Sequence, residues 1–468
     1  MANDAQAAPG GLYHFVWRWH FIAGLFVAPF VLILAATGAL YLYKDEIESA
    51  VYAELVRVQP SPSPIAVSAQ EAAALAAYPG ARVTRYTAPI APDRAAEFSL
   101  RTEDGRSLTV FVDPGAGEVQ GSIENGARLS NVLSGLHGEL LAGRWGDLIV
   151  EFAGCWAFVL LVTGVFLWWP RKERRVGVAV PKLKAKGRGL WRELHAVPSA
   201  WNAPIIAFLI LTGLPWSGFW GENLARLGTI EAVAPALAPT PNFVAAPNAP
   251  AHAEHNHTHN PERHHAALGD NPEAADLPWS MRQARPPLGG GAAHVDLDQL
   301  VALAEARAMT GAVFRVIYPS EPGGVFTLSY APDAAQGQRT VHVDPADGAV
   351  LQDVGWDQYS PLGKAVEFGV ETHVGRQFGE ANRWLMLASC VLLIATVMFG
   401  VAMWWMRRPK GALGIPPARE GYRPAWPILA IAVALGALFP LVGASMALIA
   451  ALEWGAARLR SRRAAAQA

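Results

Sequence analysis

LHGELLAGRWGDLIVEFAGCWAFVLLVTGVFLWWPR (136–171) decides how this chain is read. From Leu148 to Trp169 it carries one charge, Glu151, and the run is long enough to cross about 30 Å of hydrocarbon. Trp168 and Trp169 close it, as aromatic rings do at a membrane–water interface, and Arg171 follows. The same features return in THVGRQFGEANRWLMLASCVLLIATVMFGVAMWWMRR (372–408). His137 corresponds to His373 (373 − 137 = 236), and Trp168-Trp169 to Trp404-Trp405 at the same offset; Cys155 and Cys390 differ by one less. A histidine, a span and a tryptophan pair that recur together indicate two related halves.

Working outward, two further apolar runs complete a set of four spans: Phe21–Tyr43, Leu148–Trp169, Ala200–Trp220 and Trp384–Met406. The first and third also correspond. Trp-Arg precedes a histidine in both, His20 against His195 (195 − 20 = 175), and Thr37-Gly38 matches Thr212-Gly213. A last apolar stretch, Ala425–Trp454, contains Pro440 and reads as one helix or a hairpin. The expected fold is a membrane four-helix core bundle with a pseudo-twofold repeat, a C-terminal hydrophobic helix or hairpin, and two small α+β domains outside the membrane.

Composition agrees. Residues are 52% hydrophobic and only 16% charged, with 17 Trp, too apolar for an ordinary soluble enzyme. A net charge of −1 offers no basic excess for nucleic acid. The two cysteines lie inside apolar runs, which excludes a disulfide framework, and no C-x-x-C-H stretch exists for covalent haem attachment. The first span lacks a basic leader and a small-residue cleavage site, so it reads as retained.

Lysine and arginine set the orientation. Arg171, Lys172, Arg174, Arg175, Lys182, Lys184, Lys186, Arg188 and Arg192 lie between spans two and three; Arg407, Arg408, Lys410, Arg419 and Arg423 follow span four. Both links are therefore expected in the cytoplasm. The expected divisions are 1–43 (N-terminus and span 1), 44–136 (first outer domain), 137–170 (span 2), 171–192 (basic loop), 193–222 (span 3), 223–293 (linker), 294–372 (second outer domain), 373–408 (span 4) and 425–457 (C-terminal span or hairpin).

In the outer domains, SAQEAAALAAYP (68–79) and LDQLVALAEARAM (297–309) read as helices. VTRYTAP (83–89), EFSLRT (97–102), LTVFVD (108–113), VFRVIYP (313–319), VFTLSY (325–330) and TVHVD (340–344) alternate as strands do. Neither domain holds a Ser/His/Asp cluster or a glycine-rich phosphate loop, so both read as binding or scaffolding modules. The Ala/Pro-rich segment before the second domain reads as a long mobile linker. It contains AHAEHNHTHNPERHH (251–265), whose His252, His255, His257, His259, His264 and His265 have the composition of a transition-metal tract; low-complexity drift reads equally well.

Ionisable groups beside a span call for a function. The repeat places His20 and His195 near the cytoplasmic face and His137 and His373 near the outer face. Two imidazoles from facing helices suit bis-axial ligation of a b-type haem, so the four histidines would hold two haems across the bilayer. Two histidines alone make an incomplete zinc site. Arg18 and Arg192 beside the inner pair, and Arg144 and Arg376 near the outer pair, could bind haem propionates; for the inner two, interfacial anchoring is as good a reading.

The WRWH…TG opening, the LHGELLAGRWGD stretch, the TGVFLWWPR ending and the paired VDP hairpins (LTVFVDPGAGEVQ, 108–120; RTVHVDPADGAVLQ, 339–352) resemble the PepSY-associated transmembrane family over nearly the whole chain. That family includes bacterial inner-membrane ferrisiderophore reductases of the FoxB and PiuB kind, with two b haems and two periplasmic PepSY domains. The resemblance implies an inner haem on His20 and His195, an outer haem on His137 and His373, and reduction of ferric siderophores at the periplasmic side for iron acquisition. No nucleotide or flavin fingerprint is present, so the donor would be quinol or a cytoplasmic-side reductase. The His-rich insertion departs from the family pattern and leaves room for copper or another transition metal. The rival expectations are a non-catalytic PepSY receptor or regulator, and a transition-metal handling protein.

Overall fold

The computed structural model describes residues 11–170, 178–226, 277–282, 284, 286–290, 294–416 and 426–467. Its first helices are α1 Gly11–Tyr41, α2 Lys44–Val51, α3 Ala53–Val56, α4 Val67–Ala77, α5 Leu129–Glu139 and α6 Gly143–Trp168. Then come α7 Arg188–Gly213, α8 Gly218–Arg226, α9 Trp279–Arg282, α10 Leu297–Glu305, α11 Pro361–His373, α12 Gly379–Arg407, α13 Trp426–Leu438 and α14 Pro440–Gln467. Strands β1 Arg82–Thr87, β2 Ala96–Arg101, β3 Ser107–Val112 and β4 Val119–Glu124 precede α5; β5 Val313–Ile317, β6 Phe326–Ala331, β7 Arg339–Val343 and β8 Val350–Gly355 precede α11. The chain divides into a helical unit (Met1–Ala36, His137–Trp220, Ala388–Ala468) and a sheet unit (Thr37–Leu136, Gly221–Leu387).

Among the described residues, four helices are long and apolar enough to cross a membrane: Gly11–Tyr41, Gly143–Trp168, Arg188–Trp216 and Gly379–Arg407. With this composition the chain is a multi-pass membrane protein. In the helical unit they form a ring of neighbours. Phe26 of α1 meets Phe152 of α6 edge to face, and Trp191 of α7 packs on Phe399 of α12. The Arg407 guanidinium of α12 lies over Phe21 of α1, 4.5 Å from the ring centre. Val27, Val31, Ala153, Trp156 and Val159 are buried in the shared core. Small residues such as Ala153 let helix backbones approach where lipid offers no hydrophobic drive to associate.

The helices start earlier than hydropathy suggests, α1 at Gly11 and α7 at Arg188, and the third span ends at Trp216 instead of Trp220. Polar residues such as Arg192 and Glu193 continue a helix as readily as apolar ones do, because the backbone is satisfied within the helix itself. Pro215 then ends it and α8 begins at Gly218. Glu151, the lone charge of the second span, is explained here. Its buried carboxylate accepts the backbone N–H groups of Phe219 and Trp220 (2.9 and 3.0 Å), capping the first turn of α8.

The C-terminal stretch is a helical hairpin broken at Phe439–Pro440. Gly436 of α13 and Gly443 of α14 face each other so closely that a methyl group on Gly443 would lie 2.6 Å from the Gly436 carbonyl. Trp156 Nε1 of α6 donates to Ser445 Oγ (3.2 Å), and Phe158 packs on Phe439.

In the sheet unit, the two modules expected from sequence are one eight-stranded antiparallel sheet, ordered β4-β3-β2-β1-β5-β6-β7-β8. The first strand of each module would otherwise leave an unpaired edge. Instead β1 pairs with β5, Arg85 opposite Ile317 and Thr87 opposite Arg315. One core follows, in which Tyr86, Phe98, Val110, Leu300, Phe314 and Leu328 are buried together. Across the join, Asp298 of α10 accepts the backbone N–H of Val67 (2.6 Å) and the Ser68 hydroxyl at the start of α4, and Tyr318 donates to Glu71 (2.9 Å).

The described end of the expected linker is anchored. Trp279, Ser280 and Met281 are buried, and Ser280 N–H donates to Glu367 (2.9 Å), so the segment rejoins the fold before the second module begins. Burying an indole and a thioether outweighs the freedom lost there. His252, His255, His257, His259, His264 and His265 lie outside the described residues.

Candidate functional site

His20 and His195 lie at least two turns inside α1 and α7, just before the apolar runs that begin at Phe21 and Ala200. Their rings face each other, centroids 6.4 Å apart and planes at 83°. Two imidazoles on opposite sides of one metal, each bonded at about 2 Å, would put ring centres roughly 6 Å apart. The spacing fits.

Hydrogen bonding assigns the tautomers. His20 Nδ1 lies 2.9 Å from Thr163 Oγ1 of α6. The Thr163 hydroxyl donates its own proton to the Val159 carbonyl (2.8 Å), so its oxygen accepts and His20 Nδ1 carries the proton. His195 Nδ1 lies 2.9 Å from the Thr396 carbonyl of α12, which can only accept. Each ring thus keeps its Nε2 lone pair, the form in which a histidine ligates a metal while its other nitrogen is held.

Both rings rest on glycine. A Cβ added to Gly164 would stand 3.3 Å from His20 Cε1, and one added to Gly400 would stand 3.3 Å from His195 Cε1. Hydropathy cannot reveal Thr163, Gly164, Thr396 and Gly400 as partners, although Gly164 and Gly400 share the repeat offset (400 − 164 = 236). Among the described residues, no group of three or more His, Cys, Asp and Glu forms a metal-ion site. Two neutral imidazole nitrogens are a donor set that would fit an iron whose other ligands come from a porphyrin, as in haem.

The other expected residues are distributed as follows. His137, near the end of α5, belongs to the helical unit and hydrogen-bonds the Leu34 carbonyl. Burial lowers its pKa below the ordinary imidazole value, which the Leu34 carbonyl opposes. His373 ends α11 in the sheet unit. Arg18 Nε donates to the Pro416 carbonyl (3.2 Å), and Arg192 pairs with its neighbour Glu193 (3.2 Å) on an exposed surface. Arg376 donates to the buried Glu371 (2.9 Å), and Arg144 lies exposed at the start of α6. Arg18, Arg192 and Arg376 thus each already have a protein acceptor.

Comparison with curated proteins finds no match. The family model described as the PepSY-associated TM region matches residues 17–407. That match takes in all four spans, both histidine-bearing ends of the repeat and the whole sheet, and the chain belongs to the PepSY-associated transmembrane family.

Proposed function

We propose that this chain is a membrane oxidoreductase holding two b-type haems. The ligands would be His20 and His195 for one haem and His137 and His373 for the other. Electrons would pass from quinol or a cytoplasmic-side reductase, across a bacterial inner membrane, to a ferric chelate such as a ferrisiderophore in the periplasm. This is the FoxB and PiuB kind of activity within the family.

One observation carries the reading: the His20 and His195 rings lie 6.4 Å apart with both Nδ1 protons committed, which leaves two Nε2 lone pairs within the helical unit. Bound haem would supply reversible one-electron chemistry at iron. The imidazoles would hold the iron, while Thr163 and the Thr396 carbonyl fix the rings and Gly164 and Gly400 make room for them. The palindromic strand order of the sheet supports a pseudo-twofold repeat, and with it a second histidine pair. The sheet unit would be the scaffold beside which the ferric chelate is reduced, and reduction weakens the grip of hard oxygen ligands on iron.

The test is a reduced-minus-oxidised absorption spectrum of the purified protein with haem quantification. A b-type spectrum and two haems per chain are expected. A preparation from haem-replete cells without a Soret band would overturn the reading in favour of a receptor or metal-handling role.

A further inference from the structure

We propose that Thr163 is a positioning residue for the His20 imidazole, and that it makes His20 and His195 unequal ligands. The inference rests on the haem reading above and goes beyond it.

A Cβ added to Gly164 or to Gly400 would stand the same 3.3 Å from the Cε1 of the neighbouring imidazole, so the repeat offset of 236 holds at the site itself. In that register Thr396 corresponds to Leu160, and Phe399 to Thr163 (399 − 163 = 236). His195 Nδ1 donates directly to the backbone carbonyl of Thr396. The corresponding carbonyl, that of Leu160, lies 3.2 Å from Thr163 Oγ1, and His20 donates to the Thr163 hydroxyl instead. A side chain has come between ring and backbone in one half. In the other half Phe399 has no hydroxyl, and its ring packs on Trp191.

The difference is chemical as well as geometric. An amide carbonyl accepts a hydrogen bond more strongly than a neutral alcohol does. The stronger acceptor draws the Nδ1 proton further away and makes Nε2 a better donor to ferric iron. His195 is therefore the more basic ligand and His20 the weaker one. The Thr396 side chain takes no part in the His195 Nδ1 contact; its hydroxyl lies 3.1 Å from Ser199 Oγ, which donates its proton to the His195 carbonyl.

The experiment compares purified, haem-loaded wild type with Thr163→Val, Thr163→Ser and Thr396→Val by haem content, redox titration and low-spin EPR. T163V deletes the acceptor and leaves the His20 Nδ1 donor without it. It should move the midpoint potential and EPR signal of one haem, or lose that haem alone, with the other unchanged. T163S should restore the wild-type values, and T396V should match wild type because the carbonyl remains. Should T163V not accumulate, Thr163→Ala is read in the same way. Haem-replete T163V or T163A identical to wild type overturns the proposal, as does a T396V shift equal to theirs. A wild-type protein without haem overturns the underlying reading instead.

Discussion

Asn202 and Ser389 exchange two hydrogen bonds between α7 and α12. The Asn202 amide donates to the Ser389 carbonyl (3.0 Å), and the Ser389 hydroxyl donates to the Asn202 side-chain oxygen (2.8 Å). Both residues are buried. The repeat offsets carry them to Val27 (202 − 175) and Ala153 (389 − 236), also buried. One half is clamped by a polar pair and the other by apolar contact. Asn202→Ala should cost about 1 kcal/mol, within the usual range for polar pairs in membranes. Asn202→Val with Ser389→Ala, copying the other half, should recover most of it. Unfolding in detergent measures both, and strictly additive losses would refute the coupling.

The histidine pairs should separate in function. His20→Ala or His195→Ala should remove or perturb one haem and spare the spectrum of the other; His137→Ala or His373→Ala should do the converse. Within a pair a second loss should add little, because either ligand alone already breaks the axial set. Haem counting and stopped-flow oxidation of the reduced protein by ferric chelate test this. Full haem and normal oxidation in all four variants would return these residues to an interfacial role.

Glu367 should give the sheet unit a pH-dependent stability. Burial pushes its carboxyl from 4.5 up to about 7, although the Ser280 amide favours the ionised form. The folded state then binds the extra proton between these values, so stability is full below about 4.5 and falls as pH rises to about 7. The loss is at most roughly 3 kcal/mol at 1.36 kcal/mol per unit. Glu367→Gln cannot ionise and should flatten that slope. An unchanged slope from pH 4.5 to 7 in thermal melts would assign it to another group.

Orientation is the fourth expectation. Reporter fusions at Lys184, in the basic link before α7, and at Gly348, between β7 and β8, should report cytoplasm and periplasm respectively. The same compartment for both would contradict the repeat-based topology.

Sequence alone determined the four spans, the four repeated histidines and the helices and inner strands of the sheet. These are local properties: an apolar run of sufficient length, a fixed offset, an alternation of period two. It did not reveal β4 and β8, because edge strands such as VQGSIE (119–124) stay half-exposed and need no alternation. Nor did it join the two modules into one sheet, since which edge pairs with which depends on residues more than two hundred positions apart, such as Arg85 and Ile317. At the site, sequence named His20 and His195, and only tertiary structure supplied Thr163, Gly164, the Thr396 carbonyl and Gly400. A backbone carbonyl has no signature in a sequence, and a glycine under an imidazole looks like any other helix glycine until the helices are packed.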